Sequence, residues 1–465
     1  MIWQISRKVS TLKIANKKTA AALAASLGLN FMTLMPSEAL DSDFSAKYTA
    51  KTKQILLAAV QLERFSLNYR LESCKRPLLD KLVFFSTQET GAATGLAFEV
   101  CGVQQFGKGR RRLINLNKDA LGRGLRSAQI GSIIAASGCG YELASNTWQY
   151  LRARNKGIDT ASANKYVSTK LREIDELIAQ RKAFVDANPE HPAHERAVLE
   201  GKILEAMRGS FANEFSQFST NARTEFVTKN LFYLMNASYN ILGACAAEYG
   251  WLSLNNPKLN GTSNVLFTVS GALAGATPLL CSAQMWIQRK IMLKQQLRRF
   301  NGSQDSIKEM ADLIKESQSS TDSMGTLIPS VPATQRLALY SDSNNLFLQQ
   351  LENELGTMRQ LNKVALQTSF MGPAIGGLLM TQGILGTRGY YRYFPTHPKK
   401  QMDLSYKGAV CGTVGTSMAV VGNAAWFLAS LSYEHQLRKE KRLPEQLIKD
   451  RLGHLDEVEK IVSSL

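Results

Sequence analysis

Apolar, glycine-rich stretches of membrane length alternate with long charged stretches in this chain, at 82–106, 127–149, 231–254, 264–287, 364–386 and 408–431. Each is long enough to cross a hydrocarbon layer about 30 Å thick as a helix. Lipid offers no water to unpaired peptide groups, so spans of this kind are helical. The expected fold is therefore all-α: a multi-pass helical membrane protein with about six transmembrane helices, arranged as three hairpin repeats, and with amphipathic helices outside the bilayer. The mean hydropathy of −0.16 blends the two kinds of segment and conceals both. Gln88, Glu89 and Glu99 interrupt the first stretch and Glu142 the second, so these two need protein neighbours or water in order to insert.

A repeat of roughly 140 residues emerges when the odd-numbered stretches are laid over one another. Lys81, Lys229 and Lys363 each precede an apolar run, and fourteen residues later each is followed by a glycine, Gly95, Gly243 and Gly377. The even-numbered stretches share Leu-x-Ser near their ends, at Leu143/Ser145, Leu280/Ser282 and Leu428/Ser430, followed by Trp148, Trp286 or Tyr433. Gly91/Gly95, Gly271/Gly275, Gly372/Gly376 and Gly408/Gly412 form G-x-x-x-G pairs that put bare backbone on one helix face. With Gly243 and Gly377 they are the expected helix-packing residues, and Gly95, Gly243 and Gly377 are expected to mark equivalent close approaches.

The layout divides as follows: 1–40, a signal or targeting segment; 41–155, 156–290 and 291–440, three repeats, each a polar arm followed by its hairpin; and 441–465, a C-terminal amphipathic helix. The first 37 residues carry no acid, are basic near their start and then run apolar from Thr19 to Met35, which is a signal-peptide profile. A transit peptide is the alternative. In the arms, Leu171, Ile174 and Ile178, then Leu348, Leu351, Leu355 and Met358, and finally Ile448, Leu452, Leu455 and Val458 recur at helical spacing. The helix at 348–358 is expected to run unbroken into the fifth stretch. Three two-helix repeats resemble the layout of mitochondrial carriers, but the P-x-[DE]-x-x-[KR] signature is absent from every odd-numbered stretch, and the likeness stops at architecture.

A net charge of +18 would suit nucleic acid in another setting. Here the basic residues crowd the ends of the apolar stretches, where they meet headgroups, so the expected partners are the lipid bilayer and a protein partner or second copy on the arms, with no nucleic acid. A cleaved signal would put the arms outside the cytoplasm in a bacterial inner membrane, with an organelle membrane as the alternative. Arg152, Arg154, Arg289, Lys290, Arg438 and Lys439 at the arm-side ends argue against that orientation.

No enzyme chemistry is expected, and no cofactor or metal. Gly102-x-x-x-x-Gly107-Lys108 lacks the Ser or Thr of a phosphate loop, and His191-x-x-His194-Glu195 has no third ligand near it in sequence. Five cysteines lie within apolar stretches and read as small packing residues. The acids inside the spans carry the functional question, because a buried acid must be protonated, paired or facing water. Glu89, Glu99, Glu142, Glu248 and the corresponding Gln382 form a candidate polar path. The leading expectation is a membrane interaction or assembly protein; the second is a solute or ion transporter or channel built on those carboxylates. Acids that converge on one hydrated cavity would favour transport.

The three-hairpin layout makes a topological prediction. Cysteines engineered at 180 and 320 should be labelled from one side of the membrane in intact cells, and cysteines at 115 and 400 from the other. Labelling of 180 and 320 from opposite sides would break the layout.

Overall fold

The computed structural model describes residues 41–74, 78–112, 116–302, 305–323, 340–341, 371–439 and 443–464. The chain divides into two compact units, 1–50 and 51–465. Of the first, the described part is the opening turns of a helix; the targeting segment, the 348–358 rod and residues 364–370 of the fifth stretch lie outside the described residues. Regular structure is helical throughout, with no strand among the described residues.

The helices are α1 (Asp41–Cys74), α2 (Leu78–Arg112), α3 (Lys118–Asn155), α4 (Thr160–Asp186), α5 (His194–Ser253), α6 (Asn260–Phe300), α7 (Ser306–Ser323), α8 (described over 371–393), α9 (Pro398–Lys439) and α10 (Pro444–Ser464). Local chemistry sets several boundaries. Asn117 caps α3 by accepting from the Ala120 N–H at 2.9 Å. Asp159 caps α4, accepting from Ala161 N at 3.0 Å and from Ser162 Oγ at 2.6 Å. Burial pushes the Asp159 carboxyl up, but the bonds from Ser162 and Ala161 outweigh it and hold it below the usual carboxylate value. Asn301 ends α6 in the left-handed conformation at φ 49°, and Gly302 N–H closes back on the Leu297 carbonyl at 3.0 Å.

The polar arms pack on one another as a helical head. Ile55, Leu56 and Leu62 of α1, Val167, Leu171 and Ile174 of α4, Leu204, Met207, Phe211 and Phe215 of α5, Phe300 of α6 and Met310 of α7 share one apolar core. Leu171, Ile174 and Ile178 thus face inward at the spacing read from sequence, and Ile448 and Leu455 of α10 bury against Val60 and Leu67 of α1. Arg451 of α10 pairs with Glu63 of α1 and lies 3.4 Å from Glu214 of α5, which pairs with Arg70 at 2.9 Å. Burial raises the Glu63 carboxyl above its usual value against the pull of Arg451. A further buried arginine, Arg181, bonds Thr52 at 3.0 Å and the Ala197 carbonyl at 3.1 Å, so α1, α4 and α5 share one cation.

Beyond the head, α2, α3, α5, α6, α8 and α9 form a closed ring. Gly91 faces Ala135 and Gly131, joining α2 to α3; Ser263 Oγ donates to the Ala246 carbonyl at 2.8 Å, joining α6 to α5; and Gly408 faces Gln382, joining α9 to α8. Ala128 of α3 packs on Ala247 of α5, and Gly102 of α2 meets Ala409 of α9, closing the circle. The 60-residue α5 runs from head to ring without interruption, on the order of 90 Å of continuous rod.

Two of the described helices are long and apolar enough to cross a membrane, one within Pro257–Phe300 at mean hydropathy 1.6 and the other Pro398–Lys439 at 1.4. The six spans expected from the sequence are not confirmed as a set by this measure, and the fifth stretch is described only from residue 371. The others carry polar residues that bond within the ring, among them Asn146 to Asn230 at 3.0 Å, Asn240 to Asn236 at 2.7 Å and Gln88 to the Ala135 carbonyl at 2.9 Å. These pairs lower the hydropathy of α2, α3 and α5 while giving the helices directional contacts.

The landmark glycines are not equivalent. Gly95 faces Thr416 at ordinary contact distance, Gly243 sits between Ser132 and Ser270, and Gly377 has nothing within 4 Å. The tight approaches lie elsewhere: Gly271 against Leu379 and Met380, Gly275 against Gly376, and Gly372 against Pro278. A Cβ on Gly376 would overlap the Gly275 backbone and reach 2.7 Å from the Gly271 carbonyl oxygen. Gly376→Ala should therefore cost about 1–3 kcal/mol, read as a lower unfolding midpoint of the purified chain. Gly377→Ala should be neutral or add up to about 1 kcal/mol through helix propensity. Equal losses at both positions would refute this assignment of the contact.

Candidate functional site

The structure brings two of the five candidate path residues into contact. Gln382 of α8 donates from Nε2 to Glu99 Oε1 of α2 at 2.6 Å, and Glu99 is 4% exposed. Both side chains lie on Gly412 of α9, where a Cβ would collide with each. Gly412 is thus absent of side chain where a carboxyl and an amide must meet, a closer reason for this glycine than helix packing alone. Three helices of the ring converge on that one hydrogen bond.

The other three acids lie apart. Glu248 of α5 accepts from Arg126 at 2.7 Å and from Gln129 at 2.7 Å, both on α3. Glu142 is 3% exposed on α3, one turn beyond Cys139. Glu89 of α2 bonds Asn423 of α9, while its Oε2 is buried without a hydrogen bond among the described residues. Aromatic side chains occupy the space between helices at two levels: Phe84 packs edge-on to Tyr233 at 5.1 Å, and Phe98 stacks with Phe267 at 6.1 Å.

Near the turns joining the hairpins, α3 and α5 part to leave a groove of about 700 Å³. Lys118, Arg123 and Arg126 of α3 line it with Trp251 of α5, and the Arg126 guanidinium stacks over the Trp251 ring at 3.8 Å. Sequence reasoning passed over this group. Its signal was there: three cations of one α3 segment precede an apolar run, but their convergence with Trp251 needs the pairing of two helices that are distant in sequence.

His191 lies in the turn before α5, where its Nδ1 accepts from the Ala193 N–H at 3.1 Å, and His194 is the first residue of α5; no cluster of His, Cys, Asp and Glu able to hold a metal occurs among the described residues. Cys101, Cys139, Cys245, Cys281 and Cys411 are free thiols. No family model, curated protein or solved structure matches the chain.

The Glu99–Gln382 bond is open to direct test. Gln382→Ala strips a buried carboxyl of its donor and should cost about 1–3 kcal/mol of stability. Glu99→Gln keeps an oxygen that can accept the same N–H, so it should lose less than half as much. A Gln382→Ala chain that melts with native stability would remove the bond from the account of the ring.

Proposed function

We propose that the chain is an integral membrane protein whose ring of six spans, a threefold-repeated hairpin, anchors the helical head and presents it to a partner. The carrying observation is the manner in which the ring is filled. Glycine faces bring backbones together, aromatic pairs stand between helices, and the acids form separate local bonds. Close backbone contact suits association in lipid, where the hydrophobic drive between helices is small. Exposed apolar side chains such as Ile130, Ile133, Leu234, Ile241, Val269 and Val421 on ring helices suit contact with acyl chains. The head, by contrast, has its own core and ion pairs, and rests on helices that continue from the ring. A bacterial inner membrane is the proposed location, with an organelle membrane as the alternative.

The test separates assembly from transport. A photocrosslinker placed at Arg172 or Glu176, exposed on α4, should trap a discrete adduct in intact membranes, either a second copy or one protein of defined mass. The purified chain in vesicles should pass protons and small ions no faster than empty vesicles. A flux that Glu99→Gln abolishes, with no adduct from the head, would favour the transporter reading instead.

A further inference from the structure

We propose that the groove between α3 and α5 is a binding site for the headgroup of an anionic phospholipid, which rests on the membrane reading above. Three observations converge on it. The groove is positively charged, with Lys118, Arg123 and Arg126 against the single acid Asp119 in its lining. Among the described residues neither Lys118 nor Arg123 forms an ion pair, whereas Arg126 is held in place by Glu248 at 2.7 Å and by the face of Trp251. Two cations are thus left to meet a ligand, and the third is oriented by its neighbours. The site also lies at the start of α3, where the helix end carries a partial positive charge that favours an anion.

The second observation is how the groove changes with depth. Lys118 to Arg126 span about two turns of α3, on the order of 12 Å along the axis, and Ile130 follows one turn deeper in the same lining. Ile130 is 55% exposed and Ile133, further along, 51% exposed. A phosphodiester at the mouth would meet cations and an indole N–H-bearing ring, while an acyl chain running inward would meet isoleucines. A soluble anion would use only the first half of this surface.

The third concerns the pair that forms the wall. Trp251 stands near the end of α5 and Lys118 at the beginning of α3, so both belong to the turn side of the ring, the level at which amphipathic rings and cations meet headgroups. Gly122 brings the two helices close there, with a Cβ at that position 3.6 Å from the Trp251 ring. The groove is therefore walled by two helices that the lipid would bridge, and its binding would tie the first hairpin to the second.

The experiment uses the purified full chain in neutral detergent, titrated with dioctanoyl phosphatidylglycerol, with dioctanoyl phosphatidylcholine, or with inorganic phosphate, and followed by thermal unfolding. Phosphatidylglycerol should raise the midpoint; the other two should not. The apparent lipid affinity should fall about fivefold in Lys118→Gln, an exposed position that leaves the fold intact, and about 30-fold in the Lys118→Gln/Arg123→Gln double variant. The equally neutralised Arg289→Gln/Lys439→Gln control, on the opposite end of the ring, should respond like the native chain. A full response in the double variant overturns the location. An equal response to inorganic phosphate or to phosphatidylcholine overturns the anionic lipid as the ligand. Release of the native chain from membranes by alkaline carbonate would overturn the membrane reading itself, whereas a carbonate-resistant chain indifferent to phosphatidylglycerol overturns this inference alone.

Discussion

Where α6 crosses α8, Gly275 and Gly376 put backbone directly on backbone, and the ring depends on that crossing because it joins the second hairpin to the third. No larger residue could stand at position 376 without moving a helix, whereas a Cβ at position 275 would meet Gly376 at ordinary contact distance. Gly271 and Gly372 extend the contact in both directions, the latter against the ring of Pro278. Dispersion between closely placed atoms is small per pair and large in sum, and it needs approach at this distance to act. Gly383 and Gly386 then bring α8 against Thr268 and Asn264 further along the same interface. The α6–α8 seam is thus one long strip in which side chains have been removed from one helix or the other at each point of contact.

The remaining seams work differently, and the contrast explains why only part of the ring reads as apolar. Between α3 and α5 the contacts are directional: Asn146 to Asn230 at one end, and Arg126 and Gln129 to Glu248 at the other. Several threonine hydroxyls on α2, α6 and α9 turn back onto their own helices, as Thr94 does to Thr90 at 2.8 Å, Thr268 to Asn264 at 2.8 Å and Thr416 to Gly412 at 2.8 Å, so they need no external partner. Polar residues that find partners within the bundle lower hydropathy without exposing an unmet hydrogen bond. Helices α6 and α9 carry fewer such residues and stand out as apolar.

The head obtains its order from a separate source. Its core is made by sequence-distant helices, α1, α4, α5, α7 and α10, and its buried cations each serve several of them. Arg208 donates to the Phe300 carbonyl at 2.6 Å and pairs with Asp175, tying the end of α6 to α4. Losing one partner of a buried pair leaves a charge stranded and costs about 3–5 kcal/mol, so these pairs penalise any other arrangement of the arms. Because α5 and α6 continue from the ring into this core, the two layers of the protein are covalently one.

What the sequence determined by itself was the helical character and the inward faces of the described arm helices, since periodicity is a local property. Leu171, Ile174 and Ile178 could be assigned to one face from their intervals alone. Glycine spacing, however, says only that a face is bare and not what it meets. Gly377 shares its sequence landmark with Gly95 and Gly243 yet faces open space, while its neighbour Gly376 touches backbone. A rotation of about 100° per residue separates the two, and only the crossing of α8 with α6 decides which one lies inside. The same holds for the acids. Glu99 and Glu248 occupy similar places in their stretches, but one meets Gln382 over Gly412 and the other meets Arg126, because the partner of a side chain is set by the neighbouring helix and not by its own.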